Sequence, residues 1–394
     1  MITPAPATKL ELAEVIRRFA PALGPLSGEQ RRVLNDLAAC RTAALGGHVE
    51  TCDHCQHQRV AYNSCRNRHC PKCQAYACAR WMEDRASELL PVEYFHVVFT
   101  LPDVLNPLAL AHRRVVYDLL FSAAAQTLLE VAANPRHLGA RIGFMAILHT
   151  WGQNLSLHPH LHCVVPGGGL SPDGTRWISC RPGFFLPVRV LSRVFRGKFI
   201  DLLKRARGRG QLTGGDAGEE QAFQRLLNAA VQHDWVVYAK PPFGGPQQVL
   251  KYLSRYTHRI ALSNRRLLSM DDRTVTFGYK DYAHGNRPRT FTLQGTELLR
   301  RFLMHVVPRG FVRIRHFGLL ANRFRRDNLD LCRRLLGQPA DGRSPLDACV
   351  LTGVSPLADP AALCPVCGRG RMIRGRLLLP QRELLLLKVL YDSS

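Results

Sequence analysis

Residues 149–165 read HTWGQNLSLHPHLHCVV, and this stretch predicts two adjoining strands, 142–149 and 160–165, joined by a polar loop. Alternate side chains of a strand share one face, so His160 and His162 project together while their neighbours point the opposite way. His149 ends the preceding strand and can supply a third imidazole. Three imidazoles in this arrangement can bind a divalent ion and leave open positions for substrate oxygens.

Further strands and helices are predicted on both sides of this stretch. Ser27, three residues before Gln30, is a typical N-cap for the second helix of the N-terminal region. Runs rich in β-branched and aromatic residues predict strands at 93–101, 235–239, 274–279 and 289–293. Apolar residues at helical spacing predict helices within 9–39, 107–133, 186–207, 223–231, 247–262 and 296–334.

The chain carries a large excess of positive charge. Its 394 residues include 54 Lys and Arg against 30 Asp and Glu, a formal net charge of +24. Such a field favours a polyanionic partner, and nucleic acid is the first candidate. No run approaches the roughly 18 apolar residues that cross a bilayer, and the N-terminus has no secretion signal. We therefore expect a cytoplasmic protein that contacts no membrane.

Cysteines are concentrated near the N-terminus, where seven of the thirteen lie between residues 40 and 78. In a reducing compartment, C-x-x-C pairs are typical of metal sites rather than of disulfides. Two such pairs predict one closed tetrahedral Zn²⁺ site of structural character, formed by Cys52, Cys55, Cys70 and Cys73. A second zinc ion could be held by the donors that remain nearby, Cys40, His48, Cys65 and His69. The C-terminal pair Cys364-x-x-Cys367 is half a site, whose other ligands would have to come from elsewhere.

Two tyrosines stand in the predicted helix 247–262. Tyr252 and Tyr256 are four residues apart, so on a helix they lie one above the other on the same face. An aromatic stripe of this kind can equally be core packing, but the surrounding cations suit a site that handles phosphate; they are Lys251, Arg255, His258 and Arg259. With the histidines, the pair indicates attack of a tyrosine oxygen on a metal-activated phosphodiester, which leaves DNA attached to the protein.

These motifs resemble those of the HUH single-strand endonucleases. His160-Leu161-His162 matches their His-hydrophobe-His motif, and Tyr252-x-x-x-Tyr256 matches their two-tyrosine motif. The step of 11 residues from His149 to His160 is similar to the three-histidine arrangement of conjugative relaxases. Between about residues 30 and 330, the chain resembles the insertion sequence 91 family of rolling-circle transposases. The segments that carry this resemblance are, in order, YNSCRNRHCPKCQ, HPHLH and YLSRYTHRIALSN.

The resemblance implies a fold and a reaction. The expected fold class is α+β, an HUH endonuclease domain with a central antiparallel sheet flanked by helices, plus a small N-terminal zinc-binding module. One tyrosine would cleave single-stranded DNA at a hairpin-bearing element end, giving a 5′-phosphotyrosine and a free 3′-hydroxyl. The other would make the partner cleavage or accept the strand, and Mg²⁺ or Mn²⁺ would polarise the scissile phosphate. Apart from the resemblance, the arginines among the zinc ligands and beside the tyrosines indicate DNA contacts at Arg66, Arg68, Arg255 and Arg259, with a solvated basic face as the alternative for those of the zinc module.

The chain is expected to divide into three parts. Residues 1–90 would form a helical, zinc-binding DNA-recognition domain, 91–335 the HUH transposase catalytic domain, and 336–394 a connector with a C-terminal CxxC tail. A rolling-circle replication initiator or a relaxase would share the nicking site and differ in the DNA that it recognises. A non-catalytic zinc-dependent DNA-binding protein would use the same histidines and tyrosines only structurally. Formation of a covalent protein–DNA adduct distinguishes the enzymes from the binding protein.

Overall fold

Helices and strands alternate along the computed structural model, which describes residues 10–74, 88–240, 248–249, 260–281, 285–338 and 363–381. The helices are α1 (Leu12–Phe19), α2 (Gly28–Ala39), α3 (Asn106–Ala111), α4 (Arg113–Ala133), α5 (Val188–Gly208), α6 (Gly215–Gly218), α7 (Glu220–Val231), α8 (Gly295–Met304) and α9 (Arg325–Leu335). The strands are β1 (Gly47–Cys52), β2 (Gln58–Tyr62), β3 (Tyr94–Thr100), β4 (Gly143–Trp151), β5 (Leu157–Pro166), β6 (Gly168–Leu170), β7 (Trp177–Ser179), β8 (Val237–Lys240), β9 (Leu267–Met270), β10 (Thr274–Asp281), β11 (Arg287–Gln294), β12 (Ile314–Gly318) and β13 (Met372–Leu378).

Five of these strands form the central sheet, in the order β12-β4-β5-β3-β8. Every neighbouring pair is antiparallel. β4 and β5 lie in the middle, and all nine residues of β4 are buried. Both faces of β4 are covered, which explains why its sequence is a nearly continuous apolar run. The predicted α+β class with a central antiparallel sheet is confirmed, and the histidine strand β5 is its middle strand.

Helices α4 and α5 cover one face of the central sheet. Aromatic side chains from the two layers meet there, and Phe99 of β3 packs edge-on to Phe195 of α5 with ring centroids 4.9 Å apart. Among the described residues, α4 is the one helix long and apolar enough to cross a membrane. However, 61% of its most apolar window is buried inside the protein. The apolar side chains of α4 thus supply the main core.

The opposite face of the sheet carries a smaller apolar cluster and the three histidines. Met145, Ile147 and Val164 pack there together with Val249. These side chains share the histidine face because they lie two or four residues from the histidines on β4 and β5. Val249 is fully buried. Val249, three residues before Tyr252 in the sequence, thus lies on the histidine face.

A second core joins the N-terminal helices to the small sheet β11-β10-β9. α2 begins with the capping box that its sequence predicts: Ser27 Oγ accepts a hydrogen bond from the Gln30 N–H, and Gln30 Oε1 accepts one from the Ser27 N–H. The cap satisfies two backbone donors that the first turn of a helix leaves unpaired. The fully buried side chains of this core include Leu12, Ile16, Phe277, Leu298 and Phe302.

A third sheet, β13-β1-β2, joins an early part of the chain to a late one. β13 pairs with β1 from Gly47 opposite Leu378 to Cys52 opposite Met372. The sequence predicts only a connector and tail over 336–394, whereas residues 372–378 add a strand to the N-terminal module. The predicted domain boundaries near residues 90 and 335 stay predictions.

The sequence predicts a helix throughout the Arg-rich segment 296–334, and this prediction is wrong. α8 ends at Met304, β12 follows at the edge of the central sheet, and α9 begins at Arg325. Pro308 and Gly310, which has a φ of +72°, interrupt the helical pattern. The backbone of β12 then pairs with β4, and this hydrogen bonding outweighs local helix propensity. Most of the predicted helix 247–262 lies outside the described residues.

Candidate functional site

Three histidines converge on one face of the central sheet, where β4 and β5 pair. His149 and His160 are direct partners across the two strands, and His162 lies opposite Ile147. The ring nitrogens that could ligate a cation lie within 4.8 Å of one another, and His160 Nε2 lies 3.0 Å from His162 Nε2. His149 and His162 are buried, whereas His160 is partly exposed. Strand pairing thus brings the predicted triad together and leaves it accessible from the His160 side.

The outer nitrogens of two of these rings are engaged by neighbours. His160 Nδ1 donates a hydrogen bond to the carbonyl oxygen of His158 over 2.6 Å. His162 Nδ1 lies 2.8 Å from Nε2 of His96, a buried residue of β3. Metal-binding histidines usually donate their second N–H to such a partner, which fixes the tautomer and the orientation of the ring. Both Nε2 atoms can then direct a lone pair toward a cation.

His96 is a site residue that the sequence does not reveal. It lies within the apolar run YFHVVFT, where a lone histidine reads as an ordinary core residue. Its contact with His162 exists because β3 and β5 are neighbours in the sheet, with the two rings stacked at 5.0 Å between centroids. Strand alternation predicts which face His96 occupies, but it does not predict which strand lies beside it.

The loop that follows His149 is held by a buried aromatic ring and by a further histidine, His305. The His149 ring stacks on Trp151 with 4.6 Å between centroids. His305 Nε2 donates to the carbonyl oxygen of Leu155 over 3.2 Å, and its Nδ1 accepts from the Thr150 hydroxyl over 3.3 Å. Burial lowers the pKa of His305 to about 4, so this ring is neutral at pH 7. The neutral His305 ring therefore joins Leu155 and Thr150 by hydrogen bonds and adds no charge to the core.

Four cysteines of the N-terminal region form a second group of donors: Cys40, Cys65, Cys70 and Cys73. The Sγ of Cys40 lies 3.5 Å from that of Cys70 and 3.6 Å from that of Cys73, which in turn lies 3.7 Å from that of Cys65. A tetrahedral site with Zn–S bonds of about 2.3 Å has S···S edges of about 3.8 Å. The group fits structural Zn²⁺.

The grouping of the cysteines differs from the predicted one. The sequence assigns Cys52 and Cys55 to the same ion as the pair at 70–73, whereas the structure separates the two pairs. Cys52 Sγ lies 3.7 Å from Cys367 Sγ, and Cys55 Sγ lies 3.5 Å from Cys364 Sγ. The pairs separate because β1, which ends at Cys52, has β13 as its neighbour and thereby brings the C-terminal cysteines alongside. Spacing along the chain does not reveal this pairing.

The two histidines considered for a second zinc ion lie outside the donor groups found among the described residues. His48 Nε2 lies 3.0 Å from Glu50 Oε1, because residues two apart on β1 share a face. His69 is buried and packs edge-on against Phe302 of α8, with centroids 6.5 Å apart. Burial, together with the charge of Arg313, lowers the pKa of His69 to about 3. Both rings therefore serve as structural contacts.

Two of the four expected DNA contacts can be located. Arg66 and Arg68 are both exposed residues of the zinc-binding region. Arg68 also donates a hydrogen bond over 2.7 Å to the carbonyl oxygen of Phe311, which ties this region to the segment before β12. Arg255 and Arg259 lie outside the described residues.

Tyr252 and Tyr256 also lie outside the described residues, but the chain on both sides of them is described. Before them, Val249 packs on the face of the sheet that carries the histidines. After them, Ala261 is buried in the cluster that contains Trp151, the ring stacked on His149. The described chain therefore approaches and leaves the tyrosine segment beside the strands of the triad.

Two family models match the chain. Residues 12–101 match a model described as "Transposase zinc-binding domain". This range includes the donor group Cys40, Cys65, Cys70 and Cys73. Residues 143–328 match a model described as "Putative transposase". This range includes the histidine triad and the tyrosine segment. No solved structure matches. The N-terminal region is thus a zinc-binding domain, and its cysteine cluster fits that role.

Two relatives extend over most of the chain. The protein named "Putative transposase y4qJ" from Sinorhizobium fredii is 53% identical over 379 residues, which cover 92% of this chain and 94% of the relative. The "Transposase for insertion sequence element IS801" of Pseudomonas savastanoi pv. phaseolicola is 30% identical over 340 residues, which cover 82% of this chain and 77% of the relative. Matches of this extent, with both family models in the expected order, confirm the resemblance seen in the motifs: the chain belongs to the insertion sequence 91 family of transposases.

Proposed function

We propose that this transposase cuts and rejoins single-stranded DNA at the ends of its insertion sequence through a 5′-phosphotyrosine intermediate, and so drives rolling-circle transposition. The observation that carries the proposal is the convergence of His149, His160 and His162, whose ring nitrogens lie within 4.8 Å of one another. Histidines with purely structural roles have no need to gather in this way. An accessible group of nitrogen donors suits metal-assisted cleavage of a phosphodiester.

The donor set suits a divalent cation, for which we propose Mn²⁺ or Mg²⁺. When bound, the ion would polarise the scissile phosphate and stabilise its developing charge. Mg²⁺ prefers oxygen ligands and keeps much of its water, whereas imidazole is a better ligand for first-row transition metals. Because the three donors of this group are all imidazoles, we expect Mn²⁺ to support cleavage at a lower concentration than Mg²⁺.

Tyr252 and Tyr256 are the proposed nucleophiles. In the reaction, a tyrosine oxygen bonds to phosphorus, the bond from phosphorus to the 3′ oxygen breaks, and that oxygen leaves as a hydroxyl after it takes up a proton. Three residues of extended chain span at most about 11 Å, so the buried anchor at Val249 supports a position for Tyr252 near the triad. A phenol with a pKa near 10 is a weak nucleophile at neutral pH, and Lys251 and Arg255 would favour its phenolate form.

The proposed substrate is single-stranded DNA that carries a hairpin at the element end. The formal net charge of +24 supports a polyanionic partner of this kind. Exposed Arg66 and Arg68 would add phosphate contacts from the zinc-binding domain. A protein that acts on this substrate would work in the bacterial cytoplasm, on the nucleoid.

The test is formation of a covalent adduct with a labelled single-stranded oligonucleotide that contains an element end. With Mn²⁺ or Mg²⁺, the wild-type protein should give a protein–DNA band that survives denaturation. Tyr252→Phe and Tyr256→Phe should each keep some cleavage but fail at complete transposition, and the double variant should give no adduct. Tyr117→Phe, which removes a phenol from α4 on the opposite face of the central sheet, is the matched control and should keep the adduct.

A second set of variants separates the proposed enzyme from its alternatives. His160→Ala should abolish the adduct and leave the zinc content unchanged, because its ring belongs to a different donor group from the cysteines. Failure of the wild-type protein to form any adduct with either cation would favour a non-catalytic DNA-binding protein. Complete transposition by Tyr252→Phe would indicate a one-tyrosine reaction with Tyr256 as the nucleophile.

A further inference from the structure

Four thiols that are far apart in the sequence meet at the junction of β1 and β13. Cys52 ends β1 and Cys55 lies in the turn after it, whereas Cys364 and Cys367 lie before β13. Their closest Sγ separations, 3.5 Å and 3.7 Å, are far longer than a disulfide bond of about 2.05 Å. They agree with the edges of about 3.8 Å expected around tetrahedral zinc. All four Sγ atoms lie within 4.8 Å of one another.

The backbone of both turns is arranged as in a metal-binding knuckle. Amide N–H groups point at the sulfurs: the Cys55 N–H at Cys52 Sγ and the Gly370 N–H at Cys367 Sγ, each over 3.4 Å. The residue after the second cysteine of each pair has a left-handed backbone, with φ of +57° at Gln56 and +65° at Gly368. This conformation is strained for a side chain such as that of Gln56. A ligand that holds the turn would offset the strain.

Backbone contacts lock the two turns against each other. The Asp53 N–H donates to the Arg371 carbonyl oxygen over 3.0 Å, and the Arg371 N–H donates to Asp53 Oδ1 over 2.8 Å. Gly370 lies so close that a Cβ there would be 2.5 Å from Cys52 Sγ. The turns are therefore prearranged for a thiophilic cation.

We propose that Cys52, Cys55, Cys364 and Cys367 bind a second structural Zn²⁺, which fastens the C-terminal segment to the N-terminal zinc-binding domain. The region that matches the zinc-binding family model ends at residue 101 and therefore contains only half of these ligands. The site is independent of the group formed by Cys40, Cys65, Cys70 and Cys73, with which it shares no donor. It closes a loop of 309 residues between Cys55 and Cys364.

The first test is a count of zinc ions in full-length protein purified without chelator. Elemental analysis should find two per chain in the wild type and one in the double variant Cys364→Ser/Cys367→Ser. The control Cys180→Ser removes a half-buried thiol outside both groups and should keep two. One zinc ion in the wild type, or two in the double variant, would overturn the proposal.

A glycine variant tests the same site with every thiol present. Gly370→Ala places a Cβ against Cys52 Sγ and Asp53 Oδ1, so one of the two ions should be lost to a chelator at a concentration about tenfold lower than in the wild type. Unchanged release of both ions would count against the site. If the double cysteine variant does not fold, cobalt substitution of the wild type decides: absorbance for two tetrathiolate centres per chain supports the proposal, and absorbance for one overturns it.

The fastening role has its own test. A protease site inserted between residues 339 and 362 allows the full-length protein to be cut after it has folded. The C-terminal fragment should stay bound during gel filtration when zinc is present and separate after chelation, because metal binding supplies much of the folding free energy of such modules. A fragment that stays bound after all zinc is removed would contradict a fastening role for the ion.

Discussion

The proton on each imidazole decides which of its nitrogens can bind a cation. For His160, the carbonyl oxygen of His158 holds the proton on Nδ1. For His162, the corresponding partner is the side chain of His96. The contact of His160 is with a backbone carbonyl oxygen, so it remains when the His158 side chain is replaced. The contact of His162 is with the His96 side chain, so replacing His96 removes it. The two ligands therefore offer a matched pair of tests.

His96→Ala should weaken metal binding at the triad. Loss of an outer partner typically lowers metal affinity or activity on the order of 10–100-fold, so cleavage of single-stranded DNA should require more Mn²⁺. His96→Gln should recover part of the loss, because its amide oxygen can accept from His162 Nδ1. The measurement is the cleavage rate as a function of Mn²⁺ concentration.

The matched control is His158→Ala. The His158 side chain is partly exposed, and its substitution leaves the carbonyl oxygen in place. This variant should cleave at the wild-type rate. Equal metal requirements for His96→Ala and the wild type would show that His96 has no part in orienting the ligand.

For single residues, the sequence predicts contacts between positions that are close along the chain, but not contacts between distant strands. The convergence of His149, His160 and His162 follows from alternation on one strand and from the end of the strand before it, so it is predicted without coordinates. The grouping of Cys52 with Cys367, like the contact of His96 with His162, depends on which strands are neighbours. Strand order is set by long-range pairing, which spacing motifs do not report.

Helix α8 begins at a point where no side chain fits. A Cβ on Gly295 would lie 2.3 Å from atoms of the buried Phe19 ring, where α1 crosses α8. Gly295→Ala should therefore destabilise the protein by about 1–3 kcal/mol through overpacking. Calorimetry should show a lower unfolding temperature for this variant than for the wild type.

Gly197 in the middle of α5 is the contrasting case. A Cβ there meets no atom within 4 Å, so Gly197→Ala should stabilise the protein by about 0.5–1 kcal/mol through reduced chain entropy. The same calorimetric scan reports both variants. A rise in unfolding temperature for Gly295→Ala would mean that Phe19 moves aside at little cost.

Among helices and strands, those with a strong local sequence pattern are predicted well, whereas the edge strand β12 is not. α4, α5 and the strands β3 and β4 are close to their predicted bounds because each is long or strongly apolar. Residues 314–318 have an arginine and a histidine in their middle and stand between helices, so their sequence carries no clear strand pattern. They are a strand because the edge of β4 offers hydrogen-bond partners.

The charge of the whole molecule should make DNA binding depend strongly on salt. On single strands, each phosphate contact contributes roughly −0.7 to the slope of log affinity against log salt. The exposed cations of α5 include Arg189, Arg193 and Lys204. Replacing all three by Ala should reduce the slope by about 2, as measured by titration of an oligonucleotide at several salt concentrations.

The control for this prediction is Arg205→Ala. The Arg205 guanidinium is 2.9 Å from the carboxylate of Asp201 one turn earlier, so it is partly neutralised. Its loss should change the slope less than the loss of any one of the three cations. A flat salt response in the wild type would mean that these side chains only solvate the surface of α5.

The pairing of β13 with β1 also sets an order of events during synthesis. Ribosomes add roughly 5–20 residues per second, so the 309 residues that separate Cys55 from Cys364 take about 15–60 s to make. Throughout that interval the edge of β1 that pairs with β13 has no partner strand, and Cys52 and Cys55 lack the two C-terminal cysteines of their group. A truncated mRNA that ends before codon 364 yields a chain without β13, so the sheet β13-β1-β2 cannot be completed. Translation at least as far as residue 378 is therefore a condition for completing the sheet of the zinc-binding domain.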